Sequence, residues 1–156
     1  MAGLLASWEH DDPLVVVPTL VNRKLVPAMI CELVGTFFLS LMVLVNTEDS
    51  TNFSKQHWIT AVLIGLSLSA AVYPSATASN AIYNPQISIG LELTGLVHGA
   101  SYDPYIKHFY IYLIFPPLGA LLSVLFFEFF YKPQHVEKFR LSKLSENTDM
   151  ERLNMT

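Results

Sequence analysis

The residues best able to do chemistry are centred on an Asn-Pro pair near the middle of the chain. Asn84 and Pro85 follow residues 75–83, which carry no charge and are rich in small and hydroxyl side chains. Asparagine caps helices and proline suits the first helical position, so the pair predicts a helix start. The first N–H groups of a helix are unpaired and carry about half a positive charge. The pair therefore predicts an uncharged site that offers hydrogen-bond donors.

Glu32 is the second residue of interest, because it is the only charged residue between Pro27 and Thr47. A carboxylate in apolar surroundings needs a donor partner. The residues alone do not identify this partner, and a proton relay remains open as a role for Glu32. Glu92 and Glu128 lie nearer the ends of apolar stretches, so we expect them to be solvated or capped.

Other kinds of site find no support in the sequence. His98 and His108 lack the cysteine or carboxylate spacing of a metal site. No Ser–His–acid arrangement indicates a hydrolase, so we expect neither an enzyme nor a cofactor. The basic residues form no stripe with interleaved aromatics, which argues against nucleic-acid binding. Cys31 is the only cysteine, so no internal disulfide can form.

The elements that position these residues are apolar. Of the 156 residues, 52% are hydrophobic, which is more than a soluble domain of this size readily buries. A membrane-crossing helix needs about 20 mostly apolar residues. We predict such helices over about residues 25–46, 58–73 and 108–131. Pro74 is expected to end the second, whereas Pro116 and Pro117 are tolerated inside the third.

Residues 84–95 are predicted to form a helix too short to cross, so a re-entrant half-helix is the natural interpretation. The polar tails are residues 1–24 and 132–156. An odd number of spans places the tails on opposite sides of the membrane. Most basic residues share a side with the carboxy tail, which predicts that side to be inside. A glycan on the Asn52-Phe53-Ser54 sequon would invert this topology.

The order span, span, half-helix, span resembles one repeat of the major intrinsic proteins, the aquaporins and glyceroporins. The resemblance covers about residues 25–131, and its Pro-x-x-Gly pattern at Pro116 favours the second repeat. It implies an all-α membrane protein with three transmembrane helices and one re-entrant half-helix, half of an aquaporin-like fold. The matching segments are residues 32–36, 46–49, 64–67, 84–90, 116–121 and 127–129.

The resemblance also implies roles for individual residues. Glu32 would hold the re-entrant loop, a structural role that is favoured over the proton relay. Asn84 would donate a hydrogen bond to passing water at a centre that repels cations. The family's Asn-Pro-Ala motif is replaced by Asn-Pro-Gln, ending in Gln86. The pore-lining filter positions fall on apolar residues, which form a constriction that can dewet. These positions are Val72, Ala81 and Ile87.

Two functional hypotheses follow. The first is a degenerate aquaporin-like protein that does not conduct and acts as an accessory subunit of a larger membrane complex. The second is a pore-forming half for water or small neutral solutes, completed by a partner half. A re-entrant backbone must be shielded by protein or line a water cavity, so the expected partners are lipids and other membrane subunits. The plasma membrane, endomembranes and mitochondrial inner membrane all remain open.

Overall fold

The computed structural model describes residues 25–52, 54, 56–97, 108–138, 140–141, 144 and 150. The predictions about residues 1–24, His98 and most of the carboxy tail lie outside the described residues. Those described are helical apart from the connections, which confirms the expected all-α class. The helices are α1 (Leu25–Thr47), α2 (His57–Ser79), α3 (Pro85–Val97) and α4 (Phe109–Phe126). A π-helical segment, Phe127–Tyr131, continues α4, and helix then runs to residue 138.

Three helices in the described part of the chain are long and apolar enough to cross a membrane. They are α1, α2 and α4 with its continuation, of 23, 23 and 30 residues. At about 1.5 Å per residue, 23 residues span about 35 Å, which exceeds the roughly 30 Å of a bilayer core. By contrast, α3 has 13 residues and reaches about 20 Å. It is too short to cross.

The expected stop at Pro74 is wrong, because α2 continues through it to Ser79. Proline in a helix removes one N–H, so the carbonyl of Ala70 loses its usual donor. Only that one bond is lost, and the alanine and serine residues that follow continue the helix. Ser75 and Ser79 lie on its buried side. Residues 75–79 are therefore the last turn of a helix, and the irregular loop is confined to residues 80–84.

The helices pack around α1, which contacts both α2 and α4, while α3 packs on α4. Gly119 permits the close approach of α4 to α1, because a Cβ at this position would collide with the backbone carbonyl of Leu33. Small residues at such contacts are typical of membrane helices, which rely on close packing.

The interior of the bundle is unusually polar. Glu32, Ser79, Ser88 and Ser123 are fully buried, whereas large apolar side chains such as Leu66 point outward. This distribution is the reverse of that in a soluble domain and suits an apolar solvent around the bundle.

Lys132 links the carboxy-terminal end of α4 and its continuation to the turn after α1. Its ammonium group lies 3.2 Å from a carboxylate oxygen of Glu48, just after α1, and 3.3 Å from one of Glu128. These groups are partly exposed, so the ion pairs add little stability. Glu128 has the solvated role expected for it.

Candidate functional site

The loop between α2 and α3, residues 80–84, has an unusual backbone conformation. Asn80, Ala81 and Tyr83 all have positive φ, at 66°, 52° and 52°. Residues other than glycine rarely adopt this conformation, which costs about 1–2 kcal/mol per residue. Asparagine is the least strained of the three. A loop of this kind persists only if its surroundings hold it.

The carboxylate of Glu32 supplies that hold. One oxygen accepts the backbone N–H of Ile82 at 3.1 Å, and the other accepts the N–H of Tyr83 at 2.8 Å. The partners of Glu32 are therefore donors from the loop itself. This geometry is that of a loop support and leaves the proton-relay alternative without an observation in its favour.

Tyr83 anchors the loop from the other direction. Its side chain is buried, and its hydroxyl donates to the carbonyl of Ala71 in α2 at 2.6 Å. Its ring lies against Gly35 of α1, where a Cβ would overlap the ring. Tyr112 of α4 makes a further hydrogen bond next to the loop: its hydroxyl donates to the carbonyl of Ser79 at 2.9 Å.

Sequence reasoning missed both tyrosines. The available sequence signals were positional: Tyr83 directly precedes Asn84, and Tyr112 lies inside an apolar span. A buried tyrosine must place its hydroxyl on an acceptor. Which carbonyl accepts depends on helix packing, so the sequence alone did not identify the contacts.

Asn84 caps α3. Its side-chain oxygen accepts the N–H of Gln86 at 2.9 Å, and its carbonyl accepts the N–H of Ser88 at 3.2 Å. Pro85 is the first helical residue, which confirms the predicted helix start. Because Oδ1 is the atom used for the cap, the amide group of this partly exposed side chain is left to donate elsewhere.

The other predicted pore positions lie on three elements. Val72 is on α2, Ala81 is in the loop, and both are partly buried. Gln86 and Ile87 occupy the first turn of α3 and are exposed, Ile87 to 50%. The first turn of α3 therefore presents one amide and one apolar side chain beside Asn84. Among the described residues, no group of three or more His, Cys, Asp or Glu side chains could hold a metal ion.

Comparisons with known proteins find sequence relatives of this chain. The profile of the family described as Major intrinsic protein matches residues 8–127. Aquaporin-11 of Rattus norvegicus is 25% identical over 127 residues, which cover 81% of this chain. The chain spans 42% of the length of that relative. No solved structure matches the chain with statistical significance.

Proposed function

Since this chain belongs to the major intrinsic protein family, we propose that it is an accessory subunit of a larger membrane assembly and that its pore-lining surface does not conduct. The chain is an integral membrane protein, with three apolar helices long enough to cross a bilayer.

The observation that carries the proposal is the exposed side chain of Ile87 beside Asn84. In the family this position holds an arginine, which donates hydrogen bonds to water and repels cations. An isoleucine that is 50% exposed can do neither. With Val72 and Ala81 at the other filter positions, the wall is apolar, and an apolar constriction excludes water.

A partner is needed to cover the outer side of the loop. Asn80 and Gln86 are exposed, and Ala81 and Ile82 are half-buried. Polar backbone at membrane depth must be buried in protein or line a water-filled cavity. Family repeats are inverted, so a second copy could complete the pore only if inserted in the opposite direction. The one-sided distribution of Lys and Arg argues against dual insertion, so a different membrane protein is the expected partner.

Vesicle swelling measured by stopped-flow light scattering tests the proposal. The chain is purified in mild detergent, with and without the proteins that accompany it, and both preparations are reconstituted. We expect no water flux above that of protein-free vesicles from the chain alone, and no flux attributable to Asn84 from the complex. Robust flux that Asn84→Asp abolishes would overturn the accessory role. Asn52→Asp, in the turn between α1 and α2, is the matched control for the same chemical change.

A pore-forming half for water or small neutral solutes is the second candidate, and the cap at Asn84 favours it. The side-chain oxygen is held by the N–H of Gln86, which orients the amide group as a donor. Under this alternative, Asn84→Asp lowers flux in the complex, and Asn52→Asp does not. The same experiment therefore separates the two candidates.

A further inference from the structure

One face of α3 carries two buried polar side chains that take no part in the bonds between Glu32 and the loop. Ser88 is fully buried, and Glu92, one helical turn later, is 7% exposed. Neither the hydroxyl oxygen of Ser88 nor Oε1 of Glu92 has a hydrogen-bond partner among the described residues. The expectation that Glu92 is solvated or capped is therefore wrong. Residues four apart on a helix lie about 5–6 Å from each other, so the two groups share one small region.

The helix packed on α3 is α4, and none of its described residues donates a hydrogen bond to Oε1 of Glu92. Tyr112 is near enough to interact electrostatically with Glu92, but its hydroxyl donates to Ser79. His108, directly before α4, has a buried Nδ1 without a partner in the described part of the chain. Glu32 of α1 also acts on Tyr112, and its oxygens are already bonded to the loop.

Glu92 and Glu32 thus have opposite surroundings within one small bundle. Glu32 accepts two backbone N–H groups, which compensate for the hydration that its carboxylate loses. Glu92 is buried and receives no such compensation at Oε1. Burial raises the pKa of the Glu92 carboxyl above its ordinary value. A buried carboxylate with an oxygen that no donor reaches favours its neutral form, because protonation removes the charge that the interior cannot solvate.

We propose that Glu92, with the hydroxyl of Ser88 beside it, forms a proton-binding site between α3 and α4 in which the carboxyl is a neutral acid at neutral pH. The ligand is one proton. The carboxylate takes it from the solution and releases it to the solution as the pH rises. The site goes beyond the proposed accessory role and is independent of whether the chain conducts.

The charge on Glu92 affects Asn84, because both residues belong to α3 and its cap. The helix begins at Pro85 and is capped by Asn84, so any change in how α3 packs on α4 reaches the loop of residues 80–84. Loss of the proton places a full charge at this interface and weakens it. The pH on the side of the membrane that supplies the proton therefore acts on the position of Asn84.

Infrared spectroscopy of the reconstituted full chain tests the site directly. A protonated carboxylic acid has a carbonyl-stretching band that is separate from the carboxylate bands and shifts in heavy water. We expect such a band at neutral pH, its loss in Glu92→Gln, and its retention in Glu137→Gln, which alters an exposed glutamate. The band should disappear as the pH is raised. Identical spectra of the wild type and a folded Glu92→Gln variant at neutral pH would show that Glu92 is ionised and overturn the proposal.

A second variant protects the test against a failure to fold. Ser88→Ala keeps the carboxyl but removes its neighbouring hydroxyl, so the band should remain and shift in frequency. An unshifted band would remove Ser88 from the site. Absence of any protonated-acid band from the wild-type spectrum at neutral pH would overturn the proposal without any variant. Neither reading depends on water flux, so failure here and failure of the accessory role are distinguishable.

Discussion

The carboxylate of Glu32 in α1 accepts the backbone N–H of Tyr83 at 2.8 Å, although the two residues are 51 positions apart in sequence. This bond and its neighbour at Ile82 fix a loop whose backbone would otherwise not keep its conformation. The orientation of Asn84, the next residue, depends on them. The loop is thus held by a side chain from a different helix.

Glu32→Gln should therefore destabilise the protein markedly. The amide keeps one acceptor oxygen but places an NH₂ group against an N–H donor, which leaves at least one buried N–H unsatisfied. With unsatisfied groups costing about 1–3 kcal/mol each and bonds to a charged acceptor being the stronger ones, we expect a loss of about 2–4 kcal/mol. Thermal unfolding in detergent measures it. Glu137→Gln, on the exposed helical continuation, is the control and should change stability by less than about 0.5 kcal/mol.

Part of this site could be predicted from the sequence. The Asn-Pro helix start depends on local preferences that act within four residues, so it was predictable at Asn84 and Pro85. The resemblance pointed to Glu32 as the loop support. The three apolar spans followed from composition, because length and hydropathy alone define a crossing helix.

The remainder depends on tertiary contacts. Positive φ at Ala81 and Tyr83 has no sequence signal, since glycine and asparagine are the usual residues there. Pro74 was expected to end a helix because local rules penalise proline, but packing on α1 compensates for one lost bond. Glu92 was expected to be solvated or capped because it lies near the end of an apolar stretch, and its burial depends on tertiary packing.

Gly35→Ala should show how tightly the ring of Tyr83 fits against α1. The added methyl group would overlap the ring, which cannot move without breaking its bond to Ala71. Overpacking of this kind costs about 1–3 kcal/mol. The unfolding temperature in detergent is the measurement. Gly65→Ala is the matched control, because nothing lies within 4 Å of its added Cβ. That control should be neutral or stabilise by up to about 1 kcal/mol, and equal losses in both variants would argue against the contact.

Gly119→Ala should separate α1 from α4. Here the obstacle is the backbone carbonyl of Leu33, which cannot rotate away as a side chain can. We expect a larger loss than for Gly35→Ala, more than about 3 kcal/mol, with a lower yield of folded protein. Size-exclusion chromatography and unfolding in the same detergent report both effects. Gly90→Ala, a helical glycine with open space around it, serves as the comparison. A folded yield of Gly119→Ala equal to that of Gly90→Ala would contradict the close approach.

Glu92→Gln should make stability less dependent on pH. The pKa of Glu92 is raised by burial in the folded protein, so between its unfolded value of about 4.5 and its folded value the folded state binds the proton more tightly. Stability from this group is therefore fully present below about pH 4.5 and is lost as the pH rises through the folded pKa. Unfolding temperatures of the two proteins, measured across this range, should be similar at the acidic end and diverge at higher pH, with the glutamine variant the more stable. Parallel curves would contradict the burial of a carboxyl whose Oε1 has no hydrogen-bond partner among the described residues, because a solvated Glu92 gives no such divergence.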